Sequence, residues 1–428
     1  MKGLLRHRYR YVIAALLFAA ATINYIDRQS ISIAERELRR EFGFTPQQYG
    51  DILSWFFLAY AIGQVATGWV VDRIGARKGF TIAVLCWSIA NMAHAFGGSV
   101  RSFSAMRFVL GLFEAANYPA ALKAISEWFP KAERSTAVGL VNAGVGFGAI
   151  VAGPFVAWLI ITSGWRGAFI LTGALGLVWL IFWLGLYGSP ATHPSVSDVE
   201  RAAIEAEKGP QEAGERSTIW ALLRRRETWG LMLSRFVGDG AFYFFAAWLP
   251  KYLGDVRGLS LAEIGWVVAI PFIAADLGSI AGGFAGTTLI RRGFSIDASR
   301  KLLMWVGALL VPVSLLALRA ESAVVALLWI GVGMFGIQVK SASLFTVPAD
   351  IFAPRDIGLA WGLSGAAGSY GGALFTPFVG YLVTHYSYAP VFWIVSSMHI
   401  VSCLVVMWLL PNIGAPEQQN FPEERSRP

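Results

Sequence analysis

Charged residues are scarce in this chain: of its 428 residues, 14% are charged and 56% are hydrophobic. A soluble globular protein carries about 25% charged residues, so the composition favours lipid as the solvent. The sequence has two cysteines, Cys86 and Cys403, both within apolar runs, which excludes a disulfide framework. Its five histidines form no His-Glu-x-x-His pair, and no Gly-x-Ser-x-Gly turn occurs. We therefore expect no enzyme, no metal site and no cofactor.

Apolar segments long enough to cross a bilayer, which takes about 20 residues, recur along most of the chain. Twelve are predicted, at residues 11–33, 49–71, 79–98, 104–125, 135–160, 166–187, 228–250, 262–290, 301–319, 322–347, 357–384 and 388–410. We predict an all-α membrane protein with four parts: an N-terminal six-helix bundle (1–188), a cytoplasmic linker (189–227), a C-terminal six-helix bundle (228–412) and a cytoplasmic tail (413–428). Within the linker, residues 198–208 fit either a short amphipathic helix or a disordered tether.

Positive charge is unevenly distributed between the connections. The net charge of +8 is compatible with nucleic-acid binding, but the positions of Lys and Arg argue against it. One set of connections, which includes both termini, carries about 22 cations against about 8 in the other set, as the positive-inside rule requires. We predict a multi-pass protein of the cell (inner) membrane with both termini in the cytoplasm.

Eight ionisable residues lie well inside the predicted spans, where each costs roughly 2.5–3.5 kcal/mol on insertion scales. Four are acids and four are cations: Asp27, Glu114, Asp239 and Asp276, with Arg28, Arg107, Arg235 and Lys340. The balance suggests pairing across a water-filled cavity. Arg235 and Asp239 are four residues apart on one helix. A functional role for this pair and simple neutralisation of one charge by the other are about equally good interpretations.

Depth along the helices groups some of these residues. At about 1.5 Å per residue, Asp27 lies about 9 Å and Arg107 about 6 Å below the outer boundary, so they meet if their helices are neighbours. Glu114 follows two turns deeper on the same helical side as Arg107, and Tyr60 is predicted at a similar depth. This arrangement predicts a stepwise proton path. The competing interpretation is a static tie between Asp27 and Arg107.

An internal repeat relates the two halves of the chain. Residues 68–78 have a degraded counterpart at 282–293, and the segment from Trp128 to Arg134 has one at 352–355. Two homologous halves are typical of transporters whose substrate site lies between them near mid-membrane.

The segment from Gly68 to Lys78 resembles the loop signature of the major facilitator superfamily. Residues 23–28, 107–119 and 128–134 resemble the anion:cation symporter branch of that superfamily, and residues 248–253, 257–260 and 345–350 resemble bacterial hexuronate transporters in particular. The resemblance implies the major facilitator fold, with twelve transmembrane helices in two pseudo-symmetric six-helix bundles. A conformational latch is expected at Gly68, Asp72, Arg73, Gly75, Arg77, Lys78 and Arg134. Orientation by positive charge alone explains the cations of this set but neither the aspartate nor the glycines.

The same resemblance implies roles for the charged residues. Corresponding acids carry protons in this branch and corresponding arginines contact substrate, so Asp27 and Glu114 are expected to couple protons. The expected substrate-binding residues are Arg28, Arg107, Tyr25, Tyr60, Lys340, Ser343 and Asp239. Lys340 departs from the hexuronate pattern, which has an aromatic residue there. It either binds a second carboxylate, which favours a diacid, or extends toward the cytoplasm.

Together these features predict a proton-coupled symporter that imports a small organic anion, most directly a hexuronate or related sugar acid. A dicarboxylate (aldarate) or an aromatic acid is an alternative substrate. Efflux by proton antiport is the second functional class, and it predicts a large apolar cavity with few fixed cations. The expected partners are the anion, protons and the lipid bilayer, with no nucleic acid, and the protein is expected to be a monomer.

Overall fold

The computed structural model of the chain describes residues 9–206, 218–353 and 356–414, and the regular elements in these ranges are helical. They comprise fifteen α-helices and two 3-10 helices. In chain order these are α1 (Arg10–Phe42), α2 (Pro46–Ala93), a 3-10 helix (His94–Phe96), α3 (Val100–Glu114), α4 (Asn117–Trp128), α5 (Lys131–Leu186), α6 (Asp198–Ala206), α7 (Ile219–Leu223), α8 (Arg226–Arg257), α9 (Leu261–Val267), α10 (Ala269–Arg291), α11 (Ile296–Leu310), a 3-10 helix (Val311–Arg319), α12 (Ala323–Leu344), α13 (Val347–Ile351), α14 (Ile357–His385) and α15 (Tyr388–Leu409).

The helices supply twelve crossings at the predicted positions. Both α2 and α5 contain two crossings, separated at Gly75 (φ 79°) and Gly164 (φ 73°), whose left-handed backbone conformation favours glycine. Three other crossings are assembled from consecutive elements: α3 with α4, α9 with α10, and α11 with the 3-10 helix that follows it. Within the described ranges, eight helical segments are long and apolar enough to span a membrane by length and composition, and one of them, Thr136–Leu186, holds two crossings.

The two bundles show their pseudo-symmetry in their first helices. Both α1 and α8 end at a glycine with φ 68°, Gly43 and Gly258, and 258 − 43 gives an offset of 215 residues, near half the chain. Helices α1–α5 form the N-terminal bundle and α8–α15 the C-terminal bundle. Because each has an even number of crossings, the described chain ends share one side, here called the terminal side. The other is called the far side.

The bundles meet closely at the far side. The hydroxyl of Tyr49 on α2 donates to the carbonyl of Ala247 on α8 at 2.9 Å. Gly50 packs against the backbone of Thr376, and Gly380 packs against that of Pro46, so the first half of α2 lies along α14. The interface is therefore sealed at the far side.

The linker contributes a helix that docks on the N-terminal bundle. The carboxylate of Glu200 on α6 accepts the backbone N–H groups of Tyr9 at 2.9 Å and Arg10 at 3.1 Å. It thus caps the start of α1 from a different part of the chain, where the positive end of the helix dipole favours an anion. Of the two structures predicted for this part of the linker, the short helix is the one observed at residues 198–206, whereas residues 207–217 lie outside the described ranges.

Candidate functional site

Asp27 lies fully buried on α1, in the interior of the N-terminal bundle. Its Oδ1 accepts a hydrogen bond from Nδ2 of Asn91 at 2.7 Å, and the same Nδ2 donates to the hydroxyl of Thr172 at 2.8 Å. Among the described residues, Oδ2 of Asp27 has no hydrogen-bond partner. One carboxylate oxygen is therefore held in place and the other is unpartnered.

Glu114, also fully buried, is the last residue of α3 and pairs with α1. Nε of Arg28 donates to Oε2 of Glu114 at 3.1 Å. Helix α3 also lies close to α2, and Gly111, one turn before Glu114, permits this: a Cβ at position 111 would collide with the carbonyl oxygen of Phe56. The structure thus brings together two of the predicted site residues, Arg28 and Glu114.

Aromatic rings surround the guanidinium of Arg28. Its Cζ lies 4.6 Å from the ring centroid of Tyr60, 5.1 Å from that of Tyr25 and 5.2 Å from that of Phe56. The arginine side chain is 18% exposed, while that of Glu114 is 0% exposed. Arg28 therefore lies between a buried acid and accessible space.

Arg107 is buried beside the aromatic rings that surround Arg28. Its Cζ lies 4.4 Å from the centroid of Phe56, and its Nη2 is 3.5 Å from the carbonyl oxygen of Arg28. Nε and Nη1 have no hydrogen-bond partner among the described residues. The expected contact between Asp27 and Arg107 is not among the ion pairs of the described residues; the ion pair formed is that of Arg28 with Glu114.

A second cluster of predicted residues lies in the C-terminal bundle. Nε of Arg235 donates to Oδ2 of Asp239 at 2.9 Å, within α8. The guanidinium lies over two rings, 4.7 Å from the centroid of Phe345 and 5.1 Å from that of Trp361. Trp361 in turn stacks on Tyr118 of the N-terminal bundle at 5.2 Å, so this cluster adjoins the interface between the bundles.

Lys340 is enclosed by helices and does not extend to the terminal side. It is 2% exposed, and its Nζ donates to the hydroxyl of Ser402 at 2.5 Å. The Ser402 hydroxyl in turn donates to the carbonyl of Ser234 at 2.6 Å. Ser343, one turn further along α12, is also buried, and its hydroxyl has no partner among the described residues. Lys340 therefore lies against α8, enclosed by helices.

The residues of the predicted latch lie at the terminal side, where Arg77 and Arg134 bond to helix ends. Nη2 of Arg77 donates to the carbonyl of Leu184 in the last turn of α5 at 2.8 Å. Nε and Nη2 of Arg134 donate to the carbonyls of Phe129 and Ser126, both at 3.0 Å. Such carbonyls are unsatisfied acceptors at the negative ends of helix dipoles.

The rest of the latch is only partly described. Cζ of Arg73 lies 3.5 Å from the ring centroid of Trp69, and Lys78 is exposed. Gly75 supplies the turn, and Gly68 has open space around it. The side chain of Asp72 lies outside the described residues, so the ion pair expected there stays a prediction.

An ion-pair network at the far side joins the two bundles, and we define its members Glu35, Arg39, Lys251 and Asp255 as the far-side network. Nζ of Lys251 on α8 lies 2.7 Å from Glu35 on α1 and 2.9 Å from Asp255. Nη2 of Arg39 lies 2.6 Å from Asp255. The residues were not predicted because they fall at or beyond the ends of the apolar runs, where charged residues are ordinary. Asn91 and Thr172 were missed too; the signal for them is their polarity within otherwise apolar spans.

Three comparisons place this arrangement among known proteins. The model of the Major Facilitator Superfamily matches residues 17–346. The chain is 33% identical over 414 residues to the hexuronate transporter of Escherichia coli, covering 95% of each chain. It is 30% identical to a probable galactarate/D-glucarate transporter of Escherichia coli, covering 88% of each. Among solved structures, it resembles a D-xylose-proton symporter with a TM-score of 0.73 and 17% identity, over 94% of this chain and 97% of that one.

Proposed function

Because the chain belongs to the major facilitator superfamily, we propose that it is a proton-coupled symporter that imports a sugar acid by alternating access. It is a multi-pass membrane transport protein and not an enzyme. The relatives named above carry hexuronate or, by their names, galactarate and D-glucarate. We therefore propose a hexuronate or related sugar acid as the substrate.

The observation that carries the proposal is the ion pair between Arg28 and Glu114. It joins a fully buried acid to a guanidinium that is partly exposed. Protonation of the acid removes the charge that holds Nε of Arg28. The guanidinium is then available to a substrate carboxylate, which its planar fork can bind through two parallel hydrogen bonds. Tyr25 and Tyr60 hold the guanidinium in position through their rings.

Asp27 is proposed as the second proton carrier. Its unpartnered Oδ2 offers a position for a proton in a buried place, where an uncompensated negative charge is costly. Arg107 lies nearby with two unpartnered nitrogen atoms and adds positive potential for the anion. Neutralising both acids leaves Arg28 and Arg107 without counter-charges on the protein. Substrate binding and protonation therefore favour each other, which is the requirement for symport.

In the proposed orientation the protein lies in the inner membrane with both termini in the cytoplasm. The sealed far side then faces outward, and the conformation described here is closed to the exterior. Import requires the far-side network to separate and the latch at the terminal side to close as the bundles rock. In the C-terminal half of the site, Asp239 holds Arg235, Ser343 offers a buried hydroxyl, and Lys340 adds its positive charge from behind α8. We propose that the monomer is the transporting unit.

The second functional class is proton-driven efflux. An exporter of apolar compounds is expected to have few fixed cations, whereas Arg28, Arg107 and Arg235 are all buried or largely buried in this chain. Fixed guanidinium groups favour an anionic substrate. Import of an organic anion is therefore the function that the site supports best.

The test is uptake of labelled sugar acids into proteoliposomes under an inward proton gradient. Wild-type protein is expected to concentrate the acid, and Glu114→Gln and Asp27→Asn are expected to bind it without gradient-driven accumulation. The matched control is Glu41→Gln, which neutralises an acid that pairs with Arg166 within the N-terminal bundle at the far side. Accumulation by the Glu114 and Asp27 variants equal to that of the control would reject the coupling mechanism.

A further inference from the structure

The C-terminal bundle holds a guanidinium in the same bonding pattern as Arg28. Nε of Arg28 donates to Glu114, and Nε of Arg235 donates to Asp239, each an acid of its own bundle. In both residues the protein acid takes the Nε position. Nη2 of Arg28 also makes a long hydrogen bond of 3.4 Å to Oδ1 of Asn24, which leaves its Nη1 for another acceptor. Nη1 of Arg235 is buried and has no hydrogen-bond partner among the described residues.

Both guanidinium groups are also held against aromatic rings. Arg28 has three rings within 5.2 Å, and Arg235 has those of Phe345 and Trp361 at 4.7 and 5.1 Å. A guanidinium stacked in this way is fixed in orientation before a ligand arrives, so less entropy is lost when a carboxylate binds. An unpartnered donor in such a place is costly, and an anionic group is the ligand that satisfies it best.

Arg235 is directed toward the N-terminal bundle. Its Nη1 lies 3.3 Å from the position of a Cβ at Gly365, and the side-chain amide of Gln64 on α2 also adjoins that position. Gln64 donates to the hydroxyl of Ser369 at 2.8 Å, which places it at the interface. Gln64 follows Tyr60, whose ring lies against the guanidinium of Arg28, by one turn of α2, about 6 Å along the helix axis. The two guanidinium groups thus lie at opposite ends of a short, polar stretch of the interface.

We infer that Arg235 binds a second carboxylate and that the preferred substrate is a hydroxylated dicarboxylic acid of about six carbons, an inference that rests on the proposed function. The first carboxylate binds Arg28, the second binds the Nη edge of Arg235, and the intervening hydroxyl groups lie along Tyr60 and Gln64. A sugar acid with one carboxylate leaves Nη1 of Arg235 without an anionic partner, which costs binding free energy. Such a monoacid is bound by Arg28 alone.

Charge supports the same substrate class. Four buried or largely buried cations, Arg28, Arg107, Arg235 and Lys340, accompany the acids Asp27, Glu114 and Asp239 and the half-buried Asp276. When Asp27 and Glu114 are protonated, two acids face four cations, and the excess is 4 − 2, two positive charges. A dianion compensates more of this excess than a monoanion does. Lys340 contributes from behind α8, since its Nζ lies 3.1 Å from the position of a Cβ at Gly238, next to Asp239 in sequence.

The test compares two ligands of the same carbon skeleton, galactarate with two carboxylates and galacturonate with one. Uptake into proteoliposomes is measured for wild type, Arg235→Gln and Arg235→Lys. Wild type is expected to have the higher apparent affinity for the diacid. Arg235→Gln is expected to lose about 10- to 100-fold in diacid affinity, as for a charged hydrogen-bonded pair, with little change for the monoacid. Arg235→Lys, which keeps the charge without the fork, is expected to fall between them.

Monoacid uptake by the same vesicles reports whether each variant is folded. Ligand-induced thermal stabilisation in detergent gives a second measure of affinity that does not depend on transport. An equal loss for both acids in Arg235→Gln would show that the residue only supports the bundle, and unchanged diacid affinity would remove the second subsite; either result overturns the inference. Failure of the proposed function has a different signature, because wild type then accumulates neither acid.

Discussion

Nζ of Lys251 lies 2.7 Å from Oε1 of Glu35, and this contact joins helices that are 216 residues apart in sequence. The lysine side chain is 0% exposed. Breaking a buried ion pair by removing one partner typically costs about 3–5 kcal/mol, because the remaining charge stays buried. The far-side network is therefore a principal attachment between the bundles, and it must open in every transport cycle that passes through an outward-facing state.

Replacing Lys251 with methionine is expected to weaken closure at the far side. Without the ammonium, Glu35 and Asp255 share a single cation, Arg39, so the outward-open state gains population. The measurement is the rate at which a membrane-impermeant maleimide, added outside, labels a cysteine placed at Ser54, which contacts the carbonyl of Ala373 across the interface. Labelling is expected to be about tenfold or more faster than in the parent, as for a shift of at least 1.4 kcal/mol.

The matched control for that experiment is Arg166→Met. Arg166 pairs with Glu41 at 2.6 Å at the same side of the membrane, but both residues belong to the N-terminal bundle. Its loss leaves the contact between the bundles intact, and labelling should match that of the parent. Equal labelling of the Lys251 and Arg166 variants would show that the far-side network does not govern access.

Arg28→Lys is expected to retain charge but lose substrate affinity by about 10-fold or more, because an ammonium cannot form two parallel hydrogen bonds to a carboxylate. The measurement is the concentration of sugar acid that gives half-maximal uptake in proteoliposomes. The comparison variant is Arg134→Lys at the terminal side, where the arginine bonds backbone carbonyls at 3.0 Å. That change is expected to alter the maximal rate while the half-saturating concentration stays the same. A changed maximal rate with an unchanged half-saturating concentration in Arg28→Lys, or a raised half-saturating concentration in Arg134→Lys, would contradict the proposed roles.

Much of the fold follows from features that are local in the sequence. Each crossing needs a run of apolar residues, and such runs are visible without knowledge of neighbours. The cost of an intramembrane charge makes residues such as Arg28, Glu114 and Arg235 conspicuous for the same reason. Seven residues separate Arg107 and Glu114, so one helical side holds both, and this part of the site was predictable from helix geometry.

Partner choice was not predictable, because it depends on how each helix is rotated about its axis. Neighbouring positions point about 100° apart, so the adjacent residues Asp27 and Arg28 face different surroundings. Asp27 bonds to Asn91 and Arg28 to Glu114, where sequence depth alone had suggested Asp27 and Arg107 as neighbours. Contacts between the bundles have no local signal either, and Glu35 with Lys251 is an example.

Gly111→Ala is expected to impair transport although it adds a single methyl group. The new Cβ would collide with the carbonyl oxygen of Phe56, so α3 must move away from α2 and displace Glu114 from Arg28. Overpacking of this kind typically costs about 1–3 kcal/mol. The expected results are a lower melting temperature in detergent and reduced proton-driven uptake.

Gly139→Ala is the control: that glycine lies within α5 with nothing near its Cβ position, and alanine should raise helix stability by up to about 1 kcal/mol. Comparable losses in both variants would mean that the α2–α3 contact is not what limits substitution at position 111.

Glu200→Ala tests whether the linker stabilises the N-terminal bundle. The carboxylate of Glu200 is buried and accepts the N–H groups of Tyr9 and Arg10, so its removal leaves two donors at the start of α1 unsatisfied. Loss of a helix cap costs about 0.5–2 kcal/mol, and the unfolding transition of the purified protein should shift downward accordingly.

Asp198→Ala is the comparison. Asp198 lies on the same helix, its side chain is 97% exposed, and among the described contacts it pairs only with Arg201, three residues further along. Because Glu200 touches the N-terminal bundle alone in these contacts, its loss should lower stability while leaving the affinity for sugar acid unchanged. A drop in affinity without a drop in stability would instead assign the linker a direct part in the transport cycle.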